Sequence, residues 1–324
     1  MSDDRKPAGT TTRPNPHRWT AADIPDQHGR VAVITGANSG VGFETATMLA
    51  QHGAAVVLAC RDHHKAADAQ QRIHDNVPGA DLTIVDVDLA SLDSVHRAAE
   101  QIHRTHARLD VLINNAGLGW LPYERTSDGF ELTLATNHLG HFALTGQLID
   151  LMLDTPGSRI VAVTSPAHRQ ARFDLSKINP DEGYSKQTAY SNSKLANLLF
   201  IYELQRRLHD SGARTIALAA HPGGARTNFN RNLPRLFRGP NYGLFYPLSH
   251  PADVGALAIL RAVVDPNAYG GQYYAPGRLR EFKGYPEARR SSPTSYDQDL
   301  QQQLWEASER LTGVAYQLSA PATK

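Results

Sequence analysis

Tyr190 and Lys194 stand four residues apart in Y-S-N-S-K, a spacing that on a helix puts a phenol and an ammonium on one face. A phenol ionises near ~10 and is a poor proton donor or acceptor at neutral pH unless its anion is stabilised. Lowering that value by ~3 units takes about 4 kcal/mol, roughly what one positive charge ~4 Å away supplies at an effective dielectric near ~20. The pair therefore predicts acid–base work by Tyr190, with Lys194 lowering its pKa. A second stretch, T-G-A-N-S-G-V-G from Thr35 to Gly42, has a different chemistry. It follows the apolar run Val31-Ala32-Val33-Ile34 and opens into a helical pattern from Phe43 to His52. At a strand–turn–helix junction glycines let the backbone approach a pyrophosphate, and the free amides and positive end of the helix face its charge. Gly36, Asn38, Ser39, Gly40, Val41 and Gly42 are the candidate dinucleotide-binding residues, though three glycines can also make a plain strand-to-helix turn.

These residues need a scaffold, and the pattern supplies one. Strand-like runs at Ala55–Cys60, Leu82–Val87, Val111–Ile113, Ile160–Thr164 and Thr215–Ala220 alternate with helix-like stretches. The helices fall at His63–His74, Leu92–Thr105, Glu131–Leu153, Tyr190–His209 and Ala252–Val264, before a short strand near Gln272–Tyr274. Such alternation predicts an α/β fold, a doubly wound parallel sheet with helices on both faces. Residues 1–18 mix Asp, Arg, Lys, Pro and Thr without periodicity and read as a flexible tail. Residues 19–324 read as one domain, with a C-terminal helical extension over about 285–324 whose amphipathic part is Leu300–Leu311. That extension is expected to pack on the sheet edge.

The ends of the strands carry the remaining candidates. Arg61 comes nineteen residues after Gly42, where an NAD-binding fold places an acidic residue for the ribose 2′-hydroxyl. A cation there suits the 2′-phosphate of NADP (NADPH), or it is simply an exposed Arg at a strand end. Asp62 beside it could accept from a ribose hydroxyl and soften the preference. Asp88-Leu89 is placed to meet an adenine edge or to begin a helix cap before Ser91. Asn115-Ala116-Gly117, after the fourth strand, can tie strand ends together and border the cofactor, or form a turn.

Composition excludes other classes. Among 324 residues, 41% hydrophobic and 20% charged, 33 Lys+Arg face 32 Asp+Glu, a formal charge of +1. No global field draws the chain to nucleic acid or anionic lipid. The single cysteine, Cys60, allows no internal disulfide, and no apolar run approaches the ~18 residues of a membrane span, so a cytoplasmic setting is expected. Fifteen histidines lack any H-E-x-x-H-like spacing, and no metal site is assigned. His138 and His141 line the site or serve as satisfied core histidines. Homo-oligomerisation is left open.

T-G-A-N-S-G-V-G, N-N-A-G, Tyr190-x-x-x-Lys194, a serine ending the fifth strand and His221-Pro222-Gly223 together resemble the short-chain dehydrogenase/reductases, a Rossmann-fold family, over about Gly29 to Asn228. N-H-L-G-H-F from Asn137 and Y-S-N-S-K-L-A-N from Tyr190 look most like the retinol-dehydrogenase and protochlorophyllide-reductase branch. The resemblance implies that Tyr190 is the acid–base and that Lys194 lowers its pKa and holds the nicotinamide ribose. It implies that Ser165 bonds the substrate oxygen and that Asn137 holds a water linking Lys194 to solvent. It further implies that Pro222, Gly223, Ala225 and Thr227 embrace the nicotinamide. Two departures stand out: Pro166 directly follows Ser165, and 25 residues separate Ser165 from Tyr190.

Between about 225 and 250 aromatic and leucine residues alternate with Pro and Gly, which predicts a flap over a largely apolar substrate. The expected activity is NADP(H)-dependent interconversion of a carbonyl and an alcohol on a small molecule. The rivals are a C=C reductase of the same fold and a non-catalytic NADP-binding regulator.

Overall fold

A computed structural model describes residues 18–175, 178, 183–225 and 249–318. Eight strands form one sheet in the order β3-β2-β1-β4-β5-β6-β7-β8. They are β1 (Val31–Thr35), β2 (Ala55–Cys60), β3 (Leu82–Asp86), β4 (Val111–Asn114), β5 (Arg159–Val163), β6 (Ile216–Ala220), β7 (Tyr273–Arg278) and β8 (Lys283–Arg289). The first seven are mutually parallel and β8 returns antiparallel to β7. Successive side chains point to opposite faces, so Val33, Ile160 and Ala162 enter one apolar layer while Ala32, Ile34, Val161 and Val163 enter the other. Strands buried on both faces read as continuous apolar runs, which is why they were visible in the sequence.

The helices are α1 (Gly40–Gln51), α2 (His63–Asn76), α3 (Leu92–Thr105), α4 (Leu132–Leu134), α5 (Gly140–Leu148), α6 (Asp150–Leu153), α7 (Lys186–Asp210), α8 (Ala252–Val264) and α9 (Gln298–Thr312). In α3 the buried residues Val95, Ala98, Ala99 and Ile102 follow the helical period, which turns one stripe to the sheet. Ser91 caps its start by accepting from the Ser94 amide. The single helix predicted over Glu131–Leu153 is segmented, with a π-helical turn at Ala135–Leu139 that includes Asn137.

Strand order reverses between β1 and β4, whose carboxyl ends open the crevice where a doubly wound sheet binds ligands. Two expectations about the C-terminal region need correction. The chain past Tyr285 does not simply append a helix, because Tyr285 lies inside β8, an edge strand not foreseen in the sequence. And α9 packs on α7 and α5 rather than at the sheet edge: Trp305 is 1% exposed and meets Phe142 at 5.1 Å and Tyr316 at 4.5 Å between ring centroids. The extension therefore completes the core on one face of the sheet. Among the described residues no helix is long and apolar enough to cross a membrane.

Candidate active site

The turn after β1 is built as the sequence required. Gly36 has φ +68°, in the left-handed region that favours glycine. A β-carbon on Gly42 would lie 2.5 Å from the Gly36 carbonyl oxygen and would press on the Asn115 side chain. No side chain fits there, so the turn and the start of α1 pack directly against Asn115. Ser39 sits at the N-cap of α1 in extended conformation, its side chain making no cap bond, with Gly40 and Val41 opening the helix behind Asn38.

Asn115 does what its position suggested. Its Nδ2 donates to the Thr35 carbonyl at 2.8 Å, and the amides of Asn115 and Ala116 both donate to the Thr35 hydroxyl at 2.9 Å. The carboxyl ends of β1 and β4 are thereby locked together. The Thr35 hydroxyl, with two amides donating to it, gives its own proton to His141 Nε2 at 2.8 Å, leaving the His141 Nδ1–H for the Asn137 carbonyl at 3.0 Å. Burial holds His141 down at about 4, so it stays neutral at pH 7. His138 is also a buried core histidine, its Nε2 bonded to Ser308 at 2.8 Å. The Asn137 side chain accepts from the Leu118 amide at 2.8 Å and donates to the Leu118 carbonyl at 2.8 Å and to Ser193 Oγ at 2.9 Å.

Tyr190, Ser193 and Lys194 come from the first turns of α7, started by Ser185 accepting from the Thr188 amide. Lys194 Nζ donates to the Val163 carbonyl at 3.0 Å, and Asn197 Nδ2 reaches the same carbonyl at 3.1 Å, so the end of β5 fixes the ammonium. A β-carbon on Gly117 would sit 3.3 Å from Lys194 Nζ and 3.2 Å from Asn137 Oδ1, which places Gly117 against both. Ser165, just past β5, caps a 3-10 helix, Pro166–Gln170, by accepting from the Ala167 amide at 3.3 Å. Pro166 is thus a first-turn proline, which lacks only an amide the helix would not use. The departure noticed in the sequence is a helix start.

Burial dominates the electrostatics of the pair. Burial pushes the Tyr190 phenol up to about 12, opposed by a hydrogen bond with the Ser165 side chain. Burial brings the Lys194 ammonium down to about 8, and Nζ lies 5.9 Å from the Tyr190 ring centroid. Among the protein's own groups desolvation is the largest influence on the phenol, and the lowering expected of Lys194 together with an oxidised nicotinamide ring is a separate contribution.

At the cofactor side, Arg61 is exposed past β2 and makes no hydrogen bond or ion pair among the described residues. Asp62 is committed elsewhere: it caps α2 by accepting from the Lys65 amide at 3.1 Å and pairs with the Lys65 ammonium. Both of its oxygens are thus engaged by Lys65, each with a lone pair to spare. The Asp88 carboxylate accepts from the Ala90 amide at 3.0 Å, the local turn that was its alternative reading, beside buried Leu89. Pro222, Gly223 and Ala225 follow β6, and Ala225 bridges His250 where the described chain resumes. Thr227 and most of the anticipated flap lie outside the described residues.

One neighbour went unnoticed in the sequence. The Trp120 ring lies 5.9 Å from that of Tyr190, and its backbone has φ +62°, rare for a bulky residue. An aromatic two residues beyond Leu118, in a glycine-rich turn that Asn137 ties down, was the available signal.

A sheet with a glycine crevice at its switch point, and a Ser–Tyr–Lys set beside it, matches the model for the short chain dehydrogenases over residues 30–235. The chain belongs to that family and is an oxidoreductase of the kind that uses a nicotinamide cofactor. Within the family it stands on the retinol dehydrogenase-like branch. It is 36% identical to retinol dehydrogenase 14 of Mus musculus over 302 residues, covering 89% of this chain and 87% of the relative. It is likewise 36% identical to retinol dehydrogenase 13 of Homo sapiens over 306 residues, covering 91% and 87%. Among solved structures, an uncharacterized protein from Mycobacterium paratuberculosis is 39% identical, with a TM-score of 0.78 over 93% of this chain and 100% of that one. The NADP active-site complex of Pseudomonas aeruginosa RhlG is 25% identical, with a TM-score of 0.61 over 76% and 94%.

Proposed function

We propose that the protein interconverts a carbonyl and an alcohol on a largely apolar small molecule, with NADP(H) as cofactor, in a cytoplasmic setting. The observation that carries this reading is the convergence of Ser165, Tyr190 and Lys194, the first two hydrogen-bonded through their side chains and the third beside the Tyr190 ring and Gly117, at the carboxyl end of the sheet. A dinucleotide suits this crevice because the glycine turn after β1 packs tightly at Gly42 and leads straight into the start of α1 at the carboxyl end of the sheet, where free helix amides favour a phosphate. Gly36, Asn38, Ser39, Gly40, Val41 and Gly42 would hold the pyrophosphate. Asp88, Leu89, Asn115, Ala116 and Gly117 would border the cofactor, and Pro222, Gly223, Ala225 and Thr227 its nicotinamide end. When bound, the nicotinamide supplies or accepts the hydride.

The protein's own groups do the rest. Ser165 holds the substrate oxygen by a hydrogen bond. In reduction Tyr190 passes its phenolic proton to that oxygen, and in oxidation it takes the alcohol proton back. A phenol at about 12 keeps its proton at pH 7, which favours its service as the donor in reduction. Lys194, charged below about 8, offsets the negative charge that grows on the phenol oxygen as the proton leaves. The Asn137 side chain is a tie between elements and its carbonyl accepts from His141, and beside Gly117 and Lys194 the residue would hold a water linking Lys194 to solvent. Trp120 gives the site an apolar wall next to the reacting phenol.

Support for NADP over NAD comes from Arg61, exposed and without a partner among the described residues where the 2′-phosphate would lie, while Asp62 is turned to cap α2. The test is a panel of straight-chain aldehydes and ketones followed by cofactor absorbance with NADPH and with NADH. Turnover of aldehydes with NADPH preferred, and kcat/KM rising several-fold over the first added carbons, is the expected result. No carbonyl turnover, or reduction of a conjugated C=C bond alone, overturns the reading.

A further inference from the structure

Beyond residue 235, where the family match ends, one turn is built at a visible cost. Leu279, Arg280 and Glu281, between β7 and β8, have φ of 50°, 51° and 71°. Three consecutive side-chain-bearing residues in the left-handed region persist only where the surroundings enforce them. The enforcing contacts converge on Glu281, whose side chain is 6% exposed. Its Oε1 accepts from Arg169 Nη2 at 2.6 Å and its Oε2 from the Tyr273 hydroxyl at 3.0 Å. The same Arg169 nitrogen also donates to the Arg290 carbonyl at 2.8 Å.

Arg169 belongs to the 3-10 helix that Ser165 caps. That helix has five residues, too few for a self-supporting ladder, so its orientation depends on outside contacts. A second contact runs parallel to the first. His168 Nδ1 donates to the Ser165 carbonyl at 2.6 Å while its Nε2 accepts from the Ser292 amide, just past β8, at 3.1 Å. On its other side the strained turn reaches the loop after β6, where the Gly224 amide donates to the Phe282 carbonyl at 3.0 Å. One turn thus touches both the mount of Ser165 and the loop that carries Pro222 and Gly223.

We propose that Glu281 is a positioning residue for Ser165: held in the strained β7–β8 turn, its carboxylate fixes the 3-10 helix through Arg169, so that this turn sets where the serine hydroxyl meets the substrate oxygen. Glu281 acts through Arg169 and is not itself a catalytic residue. The catalytic half of this inference rests on the carbonyl–alcohol reading above.

The experiment compares Glu281→Ala, Glu281→Gln, Arg169→Met and the double variant Arg169→Met/Glu281→Ala with the parent chain. Amide hydrogen exchange over residues 165–171 is read together with NADPH affinity, thermal midpoint, and kcat and KM for decanal. Loss of the clamp should speed exchange over 165–171 at least tenfold while leaving β1 and β4 protected. kcat should fall about tenfold, with NADPH affinity and decanal KM within twofold of the parent. The double variant should be no worse than the worse single one, because both act along one path. Glu281→Gln, which keeps an acceptor for Arg169, should recover part of the loss. If Glu281→Ala fails to fold, Arg169→Met, at a half-exposed side chain, carries the comparison. Unchanged exchange overturns the proposal, and so does faster exchange with parental kcat, or a kcat loss no larger than the unfolded fraction. A parent chain inactive on every carbonyl sinks the functional reading alone, and exchange over 165–171 then decides the clamp.

Discussion

The turn after β1 and the turn between β7 and β8 both carry backbone into the left-handed region, by opposite means. The first uses Gly36 and Gly40, at φ +68° and +57°, which accept that conformation without a side-chain penalty. The second uses Leu279, Arg280 and Glu281 and is held there by contacts from Arg169, Tyr273 and Gly224. A turn written in glycine is coded locally, leaves open backbone and suits a ligand. A turn enforced from outside is coded by residues as many as 112 positions away and transmits what holds it. The contrast extends to the two regions: the strands and glycine turns up to Gly223 present chemistry, while β8 and α9 hold it in place.

The contrast breaks most sharply at Trp305. Truncating this side chain, buried against Phe142, Phe200 and Tyr316, should cost ~3–5 kcal/mol of stability by the lost burial and the cavity left behind. Denaturant unfolding of Trp305→Ala checks this, and NADPH affinity of the folded fraction should stay within a few-fold. A variant as stable as the parent would mean that α9 is an appendage rather than part of the core.

Next in size comes Tyr190→Phe, which keeps the ring against Trp120 and removes only the hydroxyl. Turnover should fall by ~10² or more with cofactor affinity little changed. Parental turnover by the phenylalanine variant would show that another group moves the proton. Arg61→Ala tests the opposite rim of the same crevice. A charge-assisted bond to a 2′-phosphate is worth ~1.5–3 kcal/mol, so NADPH should weaken roughly ten- to a hundredfold and NADH hardly at all. Titration of both cofactors decides it, equal losses meaning that Arg61 reads no phosphate.

What the sequence disclosed follows the same division. Buried parallel strands, the glycine turn and the Tyr190–Lys194 spacing each depend on residues within a few positions of one another, so periodicity and spacing exposed them. Asn115 was legible because its partner, Thr35, ends the neighbouring strand. β8 was not: K-G-Y-P-E-A-R contains a proline and alternating charges, which suit an edge strand but carry no apolar signal. Trp120, the π-helical turn at Asn137 and the Arg169–Glu281 pair depend on tertiary contacts that no local pattern encodes. The desolvation of the phenol was hidden for a related reason. Spacing revealed the cation but not the burial around it.

The last expected effect, smallest at neutral pH, concerns that burial. The Lys194 ammonium, brought down to about 8, is charged at pH 7 and loses its proton as pH rises through that value. If it offsets charge on the phenol oxygen, kcat/KM for NADPH, which reports groups of the free enzyme, should be level below about 8 and fall about tenfold per pH unit above it. Stability should move the other way. The unfolded lysine keeps its proton to about 10.5, so between the two values the unfolded state binds more protons and stability rises with pH. Lys194→Met should therefore be inactive yet more stable than the parent at pH 7, with the gain vanishing as pH passes about 10.5. Thermal midpoints of both chains from pH 7 to 10.5 check the sign; a parent whose advantage over the methionine variant grows towards pH 7 would show a lysine stabilised, not strained, by its site.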